Sequence, residues 1–115
     1  KRWSSLMPAD NSKQRTQFHL QMEQAIAMAN REVMKSTKLP PVNQDSVLPL
    51  AISVARLRAE YLKEALMIGS SGGNDSPVEA ELIKLGKHRQ AYEEDVAAFE
   101  ALMRAIERGY IELDI

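Results

Sequence analysis

Residues 46–68 read SVLPLAISVARLRAEYLKEALMI. At about 100° per residue, Val47, Leu50, Val54, Leu57, Tyr61 and Ile68 form one apolar stripe of a helix. Leu48, Ile52, Ala55, Ala59, Leu62 and Leu66 form a second. Together they cover roughly 220° of the circumference and leave the rest to Ser53, Arg56, Glu60, Lys63 and Glu64. A helix this apolar is expected to be covered on two sides, which places it in the middle of an assembly. Asp45 or Ser46 is the expected cap. Pro49 falls in the first turn, where its missing N–H costs little.

Two more helices flank it. The first is predicted over about residues 10–35, with Asp10, Asn11 and Ser12 as candidate caps. Phe18, Met22, Ala25, Ile26, Ala29 and Val33 line one face, and Leu20, Ala27 and Met34 make a weaker stripe on the far side. Pro40 and Pro41 end it in a stiff loop. The third is predicted over about residues 76–109. Ser76, Pro77 and Glu79 spell a capping box with proline at the first helical position, and Gly109 is a natural stop. Val78, Leu82, Leu85, Arg89, Tyr92, Val96, Phe99, Met103, Ile106 and Tyr110 follow a heptad spacing. At about 1.5 Å per residue this helix would reach roughly 50 Å against roughly 35 Å for the second, so a break at Gly86 is expected unless the excess packs on another chain. Residues 69–75 read as a flexible loop and residues 110–115, with period-two alternation, as an extended tail folding back on the bundle.

The predicted fold is all-α: a single domain over residues 1–115, a three-helix up-down-up bundle with long helices, completed by self-association. Composition supports a globular chain, with 44% apolar and 27% charged residues. The absence of cysteine excludes disulfides and thiolate chemistry and fits a cytoplasmic setting. No apolar run is long enough for a membrane span, and the basic start Lys1-Arg2-Trp3 is followed by no signal-peptide core. Charge is uneven: residues 1–40 carry seven Lys/Arg against three Asp/Glu, and residues 78–115 carry five against nine. The simplest reading of that asymmetry is that the first and last helices lie side by side.

Catalytic and metal-binding patterns are weak. His19 and Glu23 share a helical face, but no third ligand stands at useful spacing, and His88 has only Asp95 seven residues on. Glu93-Glu94-Asp95 points in different directions around its helix, and Ser71-Gly72-Gly73 lacks the strand and lysine of a phosphate loop. No metal, cofactor or catalytic residue is therefore expected. Arg58 falls within the apolar arc of the second helix and Arg89 at a core position of the heptad, where a guanidinium needs a partner. Each snorkels outward, forms a buried ion pair that sets helix register, or meets a carboxylate on a partner or ligand.

The functional expectation is a non-enzymatic helical interaction or oligomerisation module, either an adaptor or a chaperone-like or regulatory unit. Its partner is a second copy or another helical protein. Arg58, Arg89, Ala91, Ala98, Leu102 and Ala105 are the candidate interface residues, the alanines permitting close helix approach. Two alternatives stand beside it. One is a nucleic-acid-associated module using Lys13, Arg15, Arg31, Lys35 and Lys38, disfavoured by the acidic pI. The other is a ligand site or enzyme built on Arg58, Arg89, Tyr61 and Tyr92.

Overall fold

A computed structural model describes residues 11–71 and 78–115. The all-α, three-helix architecture holds: α1 spans Ser12–Thr37, α2 Gln44–Ser71 and α3 Glu79–Glu107, with no strand among the described residues.

The helix ends follow local hydrogen-bonding chemistry. The α1 cap is not a side-chain one: Asn11 offers its backbone carbonyl to the Arg15 N–H at 2.7 Å. At the other end the Ser36 and Thr37 hydroxyls both donate to the Val33 carbonyl, carrying the helix two residues past Lys35. Lys38 then turns the chain with φ 58°. The α2 cap is Asn43, earlier than Asp45 or Ser46. Asn43 Oδ1 accepts the Ser46 N–H and Ser46 Oγ accepts the Asn43 N–H, both at 3.0 Å, a reciprocal capping box. Pro49 therefore sits in the second turn, where it removes one helical bond. Gly69, Ser70 and Ser71 continue α2, so the loop expected over 69–75 begins later; residues 72–75 lie outside the described residues. So do Ser76 and Pro77 of the expected capping box; Val78 stands at the N-cap of α3 without a side-chain bond.

α3 runs unbroken through Gly86, contrary to the expected break. An interior glycine costs about 1 kcal/mol, which the packing of the flanking turns on α2 outweighs. Gly109, at φ 73°, closes α3: its N–H reaches the Ile106 carbonyl and the Tyr110 N–H reaches the Ala105 carbonyl, a Schellman stop.

Close helix packing is between α2 and α3, which run antiparallel; α1 packs on neither. The side-by-side arrangement of first and last helices inferred from charge is thus not made within one chain. α1 instead extends away, and the molecule measures 78 × 46 × 18 Å. The long dimension is about twice the roughly 40 Å that either of two such helices spans. Two bonds fix this direction: Arg31 Nε donates to the Gly109 carbonyl at 3.1 Å, and the Asp114 N–H donates to the Val42 carbonyl at 2.9 Å. The tail does fold back, onto the proline loop.

The interior is small. Among the described residues, Val42, Val54 and Ala105 are the buried apolar ones. Val54→Ala is expected to cost about 2 kcal/mol by denaturant titration, since it deletes packed methyl groups. Gly86→Ala is expected to add about 0.5–1 kcal/mol, because a Cβ there meets nothing within 4 Å and the backbone is already helical.

Candidate functional site

The two stripes of α2 have different fates. Val47, Leu50, Leu57, Tyr61 and Ile68 are half-buried and Val54 is buried, so this stripe faces α3. Leu48, Ile52, Ala55, Ala59, Leu62 and Leu66 are all exposed, Leu66 to 74%. The sequence requires cover on two sides, and the fold of one chain supplies one.

α1 shows the same imbalance more strongly. Every member of its main stripe, Phe18, Met22, Ala25, Ile26, Ala29 and Val33, is exposed, with Phe18 and Val33 both at 60%. Only Ala27, Asn30 and Met34, on the weaker side, are half-covered, and α1 has no buried residue. An isolated helix in water is marginal, and most helix stability in proteins comes from packing an amphipathic face.

The α2–α3 pair is tied by polar contacts. Ser53 Oγ donates to Asp95 Oδ2 at 2.6 Å, and Lys84 Nζ lies 3.5 Å from Glu64 Oε1. The Tyr61 and Tyr92 rings stack at 6.2 Å between centroids. Arg58 is not interior. Its guanidinium lies 5.5 Å from the Tyr92 ring centroid, its Nε donates to Tyr92 Oη at 3.3 Å, and its residue is exposed. On the same side, Ala51, Val54, Ala55, Val96, Phe99 and Glu100 line an open groove of about 330 Å³ between α2 and α3, with Arg58 at its edge.

Arg89 is likewise no core residue: its side chain is 54% exposed and pairs with Glu93 one turn on, at 3.8 Å. A single facing helix covers too little of α3 to enclose that heptad position. Both arginines face solvent. Of the other candidate interface residues, Ala91 and Ala98 are exposed and Leu102 half-buried. Ala105 is buried and so is withdrawn from any docking face, its carbonyl capped by Tyr110. The second apolar set of α2, more than one seam can use, is the face that the fold leaves open.

His19 and Glu23 are both exposed, and no three potential ligands converge on a metal-binding geometry among the described residues. No helix among them is long and apolar enough to cross a membrane. Comparison with known proteins gives no match to a family, a curated protein or a solved structure.

Ser53→Ala removes the hydroxyl that Asp95 accepts from between the two helices. It is expected to lower stability by about 1–2 kcal/mol in thermal or denaturant unfolding, with helix content unchanged.

Proposed function

We propose that this chain is a non-enzymatic helical interaction module, whose working element is the apolar surface left open by α1 and by the outer stripe of α2. The observation that carries this reading is that all six residues of each of two stripes, Phe18 to Val33 and Leu48 to Leu66, are exposed, the large side chains by 41–74%. Scattered exposed leucines are ordinary on any protein, whereas contiguous apolar faces mark contact surfaces. Amphipathic helices of this kind act by laying the apolar face into a groove of a helical partner.

Energetics favour the same reading. Burying a large aliphatic side chain completely contributes about 1.5–3 kcal/mol, so the half still open on these contributes about 0.7–1.5 kcal/mol each. Several such residues on each stripe supply enough to offset the entropy of association.

Light scattering and small-angle X-ray scattering on the full chain test it. A mass above 12.9 kDa is expected at high concentration. Leu62→Gln with Leu66→Gln is expected to weaken association by about tenfold or more without melting the α2–α3 pair. A monomer contracted to a radius of gyration near 13 Å, the value for a compact chain of this length, would overturn the reading, because the stripes would then be covered internally.

A further inference from the structure

Resting on that reading, we infer that the occupant of the open groove is a second copy of this chain, and that two copies exchange α1. The Phe18–Val33 stripe of one copy lies in the groove between α2 and α3 of the other, and the reverse contact completes a two-fold pair. Each hairpin thereby gains its third helix from its partner.

Four observations lead there. First, the hinge points α1 outward. Lys38 holds a left-handed turn, Pro40 and Pro41 stiffen the next residues, and the Arg31–Gly109 and Asp114–Val42 bonds brace the junction. A helix held away from its own hairpin by a short stiff connection is the geometry from which segments exchange between identical chains.

Second, the groove suits a helix. Ala51 and Ala55 leave room for close backbone approach, while Val54, Val96 and Phe99 give it an apolar floor. The outer α2 stripe borders it. That stripe runs 19 residues from Leu48 to Leu66, about 27 Å, and the α1 stripe runs 16 residues from Phe18 to Val33, about 22 Å. The lengths match without overhang.

Third, the charges are complementary. α1 carries four Lys/Arg against two Asp/Glu, and α3 carries four against seven. Glu93, Glu100 and Glu107, seven residues apart, form one row on α3, and Glu100 reaches the groove wall. Attraction that finds no outlet between α1 and α3 of one chain is satisfied between copies.

Fourth, the need is reciprocal. Each chain leaves its α1 stripe and its outer α2 stripe exposed, so two copies cover both stripes of both chains, and the two-fold closes the assembly instead of propagating a filament.

The chain has no cysteine, so single ones can be introduced cleanly. Full chains carrying Ile26→Cys are unfolded and refolded with full chains carrying Ala51→Cys, Ala55→Cys or Ala59→Cys in separate mixtures, then oxidised mildly. The expected product is a disulfide between unlike chains, at twice the chain mass, in at least one mixture and in excess over links between like chains. As a second measurement, Ile26→Glu with Val33→Glu is expected to weaken the pair at least about a hundredfold, while the α2–α3 pair still unfolds cooperatively. A dimer linked only between like α2 positions, or one indifferent to the α1 glutamates, would overturn the exchange and leave the interaction module standing. A compact monomer would overturn both.

Discussion

One helix can shield only one side of another. α2 carries two apolar stripes, and in a single chain α3 takes the one centred on Val54. Everything else in the architecture follows from the stripe that is left. The α2–α3 pair has little interior of its own, and its two helices are held as much by Ser53–Asp95, Glu64–Lys84 and the Tyr61–Tyr92 stack as by buried methyl groups. α1 adds a third apolar face without adding cover, because its direction is set by the junction at its far end.

The junction is built from three separate parts of the chain: the last turn of α1, the proline loop and the tail beyond Gly109. They enclose an open groove of about 360 Å³, with Met34, Pro41, Tyr110 and Ile111 among its walls. It is a corner, where two hydrogen bonds and a few apolar contacts hold a long lever. Its strength lies in covalent stiffness at Pro40 and Pro41, and in the Schellman turn that presents the Gly109 carbonyl to Arg31.

Helix number, class and approximate extents were legible in the residues, because periodicities near 3.6 persist over more than twenty positions in each segment. The stop at Gly109 was legible for the same local reason. Three things were not. Asn43 was overlooked as a cap, although its three-residue spacing to Ser46 is a recognisable reciprocal pattern. Gly86 was credited with a break, although an isolated glycine in a well-packed helix usually costs too little to cause one. Above all, no local rule says which of two nearly equal stripes on α2 meets α3, or which way α1 leaves the proline loop. Those depend on tertiary choices made at Val54 and Val42. The candidate interface residues divide accordingly: the Arg58, Arg89, Ala91 and Ala98 positions stay accessible, Leu102 is half-covered and Ala105 is sealed beneath its own terminal turn.

The bond from Asp114 to Val42 ties the end of the chain to the pivot of α1. An arm of about 39 Å magnifies whatever happens at its base: a tilt of 10° there sweeps the Ser12 end through about 7 Å. The Asp114–Val42 bond thus works with the greatest leverage in the molecule: a change of angle at that base is multiplied along the whole first helix.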